Sequence, residues 1–165
     1  MRPIAFVLAL FLGGVPVAAQ DWMEYAYPDY SFSVAFPRQP KIDITAYQAS
    51  DGRAFEARIY SLAQDSGVFK LTIADVPDGG ADENALISHA VETVTQGGEI
   101  KLDIPHRIRA VYGRQLGIAW ADGGYSYVAV FYHKKRLYQL EGRAFVAGGQ
   151  AEVDAMRFQQ SLDFT

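Results

Sequence analysis

The chain has 165 residues, half of them hydrophobic, with 15 basic against 19 acidic side chains and a formal net charge of −4. That length suits one unit with a real core, and the acidic surplus is the wrong footprint for nucleic acid, whose phosphates demand a basic surface. There is no cysteine, which excludes a disulfide framework and a lipid anchor carried on a cysteine behind a leader.

The first nineteen residues read as a cleavable leader. Arg2 supplies a positive start, Ile4 to Leu12 is an apolar run, Gly13, Gly14 and Pro16 break a helix, and Val17-Ala18-Ala19 places small residues where a signal peptidase cuts. Cleavage after Ala19 makes Gln20 the first mature residue. The apolar run is well short of the ~20 residues that span a bilayer, so neither a membrane span nor a lipid anchor is expected. The mature part, residues 20–165, reads as one domain, periplasmic or secreted. Without Arg2 it holds 14 basic against 19 acidic residues, a net −5.

Asp21–Asp29 is an aromatic lead-in with Trp22, Tyr25 and Tyr27. Tyr30–Phe36 alternates, with Tyr30, Phe32, Val34 and Phe36 on one side, and predicts a half-buried strand ended by Pro37. A second strand, Lys41–Gln48, turns at Ser50-Asp51-Gly52 into a third, Phe55–Leu62. Gln64–Gly67 turns into Val68–Asp75, and Pro77-Asp78-Gly79-Gly80 closes the run. Asp82 is placed to cap a helix, Asn84–Gln96, stopped by Gly97-Gly98; Leu86, Ile87, Ala90, Val91 and Val94 make its apolar stripe. Strands return at Ile100–Arg109, Val111–Ala121, Tyr125–His133 and Leu137–Phe145, with Asp122-Gly123-Gly124 and Lys134-Lys135 as hairpin turns. A last helix, Ala151–Leu162, puts Ala151, Ala155, Phe158 and Leu162 on one face.

Strands joined by tight turns are antiparallel, and runs of strands separated by helices make an α+β domain. The expected fold is a single antiparallel sheet of about seven to eight strands covered by two helices. Tyr30-Ser-Phe-Ser-Val-Ala-Phe-Pro37 with Pro40 after it, the early hairpin, and the closing Phe158-Gln-Gln-Ser-Leu-Asp-Phe164 resemble the PsbP-like family, an α/β sandwich that includes small exported bacterial proteins. The resemblance implies the same sandwich. It carries no functional residue across, because members of that fold bind very different partners.

The histidines, His89, His106 and His133, show no metal-ligand spacing, and no cofactor or metal is expected. No Gly-x-Ser-x-Gly elbow or phosphate loop is present, so no catalytic residue is assigned. The best candidate surface combines aromatics with cations in the second half: Trp120, Tyr125, Tyr127, His133, Lys134, Lys135, Arg136 and Tyr138. Arg107, Arg109, Arg114 and Arg143 fall in the same half and predict a local positive region. The leading functional reading is a non-enzymatic binding or accessory protein of the bacterial periplasm that contacts a protein partner or a small ligand. Two other readings stand beside it: a periplasmic hydrolase-type enzyme with an unfamiliar site, and an envelope structural or stress-related protein.

Overall fold

The computed structural model describes residues 21–77 and 82–165. The expected leader and the Asp78–Gly80 part of the predicted turn lie outside them. Ten strands and two helices follow in the order β1 (Met23–Tyr27), β2 (Phe32–Phe36), β3 (Lys41–Gln48), β4 (Ala54–Gln64), β5 (Gly67–Asp75), α1 (Glu83–Thr95), β6 (Gly98–Ile108), β7 (Val111–Trp120), β8 (Tyr125–His133), β9 (Arg136–Ala144), α2 (Gly149–Gln159) and β10 (Asp163–Phe164). The main sheet has seven antiparallel strands in the order β3-β4-β5-β9-β8-β7-β6. It is an α+β sandwich, as the residue pattern predicts.

The first predicted strand differs from expectation. Tyr30 closes a short 3-10 turn, Pro28–Tyr30, and the strand begins at Phe32 after Ser31 takes a left-handed φ of 56°. This strand does not enter the main sheet. It pairs with β1 on one side and β10 on the other in a separate three-stranded sheet. The alternation of Phe32, Val34 and Phe36 is nonetheless obeyed, and all three are fully buried. Alternation reports which side of a strand is wet; it carries no information on which strand lies beside it.

The main sheet is the middle layer and has a core on each face. On one side, α2 and the small sheet bury Phe158, Leu162, Phe164, Phe32 and Phe36 against Tyr60, Phe69, Leu71, Phe131, Tyr138 and Leu140. On the other, α1 buries Leu86, Ala90, Val91 and Val94 against Leu116, Ile118, Val128, Val130 and Leu137. The predicted stripe of α1 is thus the one used, and Asp82 caps the helix by accepting the amide of Ala85 at 3.1 Å. α2 sits close on β9 because position 142 has no side chain. A Cβ there would lie 2.2 Å from the carbonyl oxygen of Ala155.

No helix among the described residues is long and apolar enough to cross a membrane. The two edges of the main sheet are treated differently. β6 carries Pro105 and an irregularity between Ile100 and Leu102, both of which blunt an edge. β3 runs eight residues without either and exposes Ile42 and Ile44 on the side of the small sheet.

Two substitutions test this packing. Phe158→Ala is expected to lower unfolding free energy by about 3–5 kcal/mol in urea melts, the usual loss for a large buried aromatic. Gly142→Val is expected to lower it at least as far by forcing α2 off β9, while Val153→Ala on the exposed side of α2 stays within about 0.5 kcal/mol of wild type. Equal effects at positions 153 and 158 would contradict the orientation of α2.

Candidate functional site

The eight residues singled out in the sequence are not brought together. β8 aims Tyr125 and Tyr127 toward α2, where the Tyr127 hydroxyl donates to Glu152 Oε1 at 2.8 Å. Trp120 lies on the opposite face of the sheet and donates through Nε1 to Ser126 Oγ at 2.9 Å. His133, Lys134, Lys135 and Arg136 form the β8–β9 turn at the other end of those strands. Tyr138 is fully buried beside that end, its hydroxyl donating to the carbonyl of Tyr30 at 3.0 Å. Alternation correctly places the β8 aromatics on one face; the length of the strand separates the two ends.

The predicted positive region is largely neutralised. Arg109 makes a two-pronged pair with Asp163 at 2.8 and 2.6 Å. Arg114 pairs with Asp103, Arg136 with Asp75 and Arg143 with Asp122. These acids lie far from the arginines in sequence or across a strand, so counting cations along the chain does not see them. A guanidinium held by a carboxylate offers little net field to steer a partner.

One cluster at the turn end was not legible in the sequence. Arg58 and Arg136 both reach Asp75, at 3.3 and 2.7 Å, and both guanidinium carbons lie 4.7 Å from the centre of the Tyr30 ring. The cation–π contacts and the shared carboxylate fasten the 3-10 turn before β2 to β4, β5 and β9. At the same end, Lys134 and Lys135 hold left-handed φ values of 47° and 61°. That is the backbone of a two-residue primed turn, where glycine or asparagine is the usual occupant. The cluster is a structural knot whose charges pair with one another.

A feature with room for another molecule lies elsewhere, on the α1 face. The chain leaves β5 in the middle of the sheet and must reach β6 at its far edge, so α1 crosses over β9, β8 and β7. Part of the same face over β3, β4 and β5 stays uncovered beside the helix. A cleft of about 420 Å³ results, within the usual range for small-molecule sites of roughly 300–1,000 Å³. Its floor is a row across three strands, because Ile59 pairs with Thr72 and Thr72 with Gln139. Thr45 and Tyr47 form the β3 side, and His89 on α1 forms the other.

His89 packs edge-on against Tyr47, ring centres 6.2 Å apart, and its Nε2 lies 3.0 Å from the carbonyl oxygen of Gln48. A carbonyl only accepts, so Nε2 carries the proton and Nδ1 is left as an acceptor in the neutral ring. Tyr47 has a buried hydroxyl with no hydrogen-bond partner among the described residues, and burial pushes its phenol above the usual 10.0. The ring is therefore neutral throughout the physiological range. The side chains around the cleft offer hydroxyl, amide and imidazole groups, and none is a carboxylate, ammonium or guanidinium.

His106 and His133 stand outside the cleft. Each packs on a phenylalanine, His106 on Phe131 and His133 on Phe164. Burial pushes both imidazoles below their ordinary value of 6.5, and the ammonium of Lys134 adds to the shift at His133. The unfolded chain takes up these protons near pH 6.5, whereas the folded protein takes them up only at lower pH. The unfolded state then binds more protons, so stability is complete above 6.5 and falls as pH drops through that value toward the depressed ones. Melting temperature should therefore fall on going from about pH 7.5 to about pH 5.5, and the fall should shrink in the double variant His106→Gln/His133→Gln. A slope unchanged by the two substitutions would contradict this assignment.

No protein-family model matches the chain, and no curated protein matches its sequence. Among solved structures, it is similar to cyanobacterial PsbP (CyanoP) of Synechocystis sp. PCC 6803, determined in solution, over 93% of this chain and 99% of that one, with a TM-score of 0.54 at 10% identity. At that identity the likeness speaks for architecture alone. It agrees with the resemblance seen at Tyr30–Pro37 and Phe158–Phe164: the chain has the PsbP-like fold.

Proposed function

We propose that this is an exported, non-enzymatic accessory protein of the periplasm that binds a small ligand in the cleft between α1 and the β3–β5 part of the main sheet. The cleft carries the reading. It is the size of a small-molecule site, and it is built from several elements that the fold holds in place. Its lining has polar groups suited to orienting a ligand, and no carboxylate, ammonium or guanidinium is among them. Export is supported by the leader pattern in residues 1–19, with a charged start, an apolar run and Ala-Ala before Gln20. Binding of a protein partner through the aromatic and basic half is less well supported, since Arg109, Arg114, Arg136 and Arg143 are held by aspartates.

Two measurements test the two parts. Intact mass of the protein recovered from the periplasm of its host is expected to show Gln20 as the first residue; an intact Met1 in a membrane fraction would contradict export. A metabolite panel screened by thermal shift is expected to contain a member that raises Tm. At a hundredfold excess over Kd the stabilisation is about 2.7 kcal/mol, about 5–10 °C for a chain of this size. The rise should disappear in Thr72→Phe, which fills the cleft floor. A panel that shifts the parent and Thr72→Phe equally would overturn the cleft as the site.

A further inference from the structure

The lining of the cleft also specifies the class of its ligand. No carboxylate, ammonium or guanidinium is among the lining side chains, so the lining holds no fixed counter-charge for a buried ion. A purely apolar ligand would cover the hydroxyls and the amide without replacing the hydrogen bonds they make to water. What fits is a neutral molecule that is apolar on one face and hydroxylated along its edges.

The spacing narrows this further. Ile59, Thr72 and Gln139 stand side by side on β4, β5 and β9. Neighbouring strands lie about 4.8 Å apart, so the row spans about 10 Å, with apolar Ile59 at one end and the polar groups of Thr72 and Gln139 one step apart on the next two strands. Thr45 on β3, which pairs with Ala57, adds a hydroxyl on that side of the cleft, and His89 bounds it from the helix. The Tyr47 ring provides a flat apolar wall of the kind that carries C–H faces. A hydroxyl and an amide one strand step apart, beside an aromatic wall, match the polar edge and the apolar face of a pyranose ring.

Resting on the cleft being a ligand site, we infer that it takes an uncharged saccharide of one or two rings. The sugar edges bond to Thr72 and Gln139, and an apolar ring face lies against Tyr47.

The test uses the purified protein and chemical-shift mapping with four probes: cellobiose, N,N′-diacetylchitobiose, digalacturonate and 1-octanol. At least one neutral disaccharide is expected to shift amides at Thr45, Thr72, Gln139 and His89, and to saturate. Thr72→Val, which keeps the shape and removes the hydroxyl, and Gln139→Ala are each expected to weaken that disaccharide by about three- to tenfold with Tm unchanged; Tyr47→Ala abolishes binding. Shifts at the cleft from digalacturonate or octanol, with none from the two neutral disaccharides, would overturn the saccharide class and leave the cleft standing as a ligand site. A disaccharide that binds elsewhere, or equally well to Thr72→Val and Gln139→Ala, would also overturn it. A cleft that none of the four perturbs would overturn this inference and, with an empty thermal-shift panel, the reading it rests on.

Discussion

The antiparallel pairing of β5 with β9 makes one sheet out of two. Each half of the chain can form a meander by tight local turns, β3-β4-β5 in the first and β6-β7-β8-β9 in the second. Nine residue pairs, from Gly67 with Ala144 to Asp75 with Arg136, join them edge to edge. Left separate, each meander would have an open edge at this point and half a surface on which to lay a helix. Joined, they make a seven-stranded layer wide enough to carry α1 on one face and α2 with the small sheet on the other. The pairing closes a long loop and brings its contacts late in sequence separation, which opposes fast folding. Burial on both faces offsets that entropy.

The course of α1 follows from the same junction. A chain that leaves the sheet from its middle and re-enters at its edge must run over the intervening strands. The helix is thirteen residues long, about 20 Å at 1.5 Å per residue, and it cannot cover all seven strands. The cleft is what remains of that face. Its position is a product of strand order, and its chemistry comes from residues that alternate away from the core under α2 and the small sheet: Ile59, Thr72 and Gln139 lie next in sequence to Tyr60, Ile73 and Tyr138, which point into that core.

The end of the sheet near the β8–β9 turn shows how charge is used in this protein. Asp75 gathers Arg58 and Arg136, and the two guanidiniums hold Tyr30. Arg109 and Asp163 fasten the β6–β7 turn to β10 nearby. These pairs are partly exposed, so each contributes little to stability by itself. Their effect is positional: they orient the small sheet over the main one and hold Arg109 and Arg136 against carboxylates.

Local order was largely legible in the residues. Period-two alternation located Phe32–Phe36 and β3 to β9 to within a few residues, Asp82 marked the start of α1, and the stripe at Leu86–Val94 named its buried side; of the face expected for the last helix, Ala155 and Phe158 are buried on α2, Ala151 is half-buried, and Leu162 is buried beyond the helix end at Gln159. Those features depend on neighbours within a turn or two, and a linear pattern records them. β1 and β10 were not legible as strands, because one is a five-residue lead-in and the other two residues, and both exist only through pairing with β2. The candidate surface of Trp120, Tyr125, Tyr127, His133, Lys134, Lys135, Arg136 and Tyr138 came apart for a related reason. Alternation assigns a side of a strand, whereas adjacency between sites depends on strand order, strand length and the acids that fold back onto each arginine. The sequence by itself determined the elements, their buried sides and the absence of a cysteine-based scaffold. Tertiary structure alone decided the separate small sheet, the neutralised arginines and the cleft beside His89, since each depends on contacts between residues far apart in the chain.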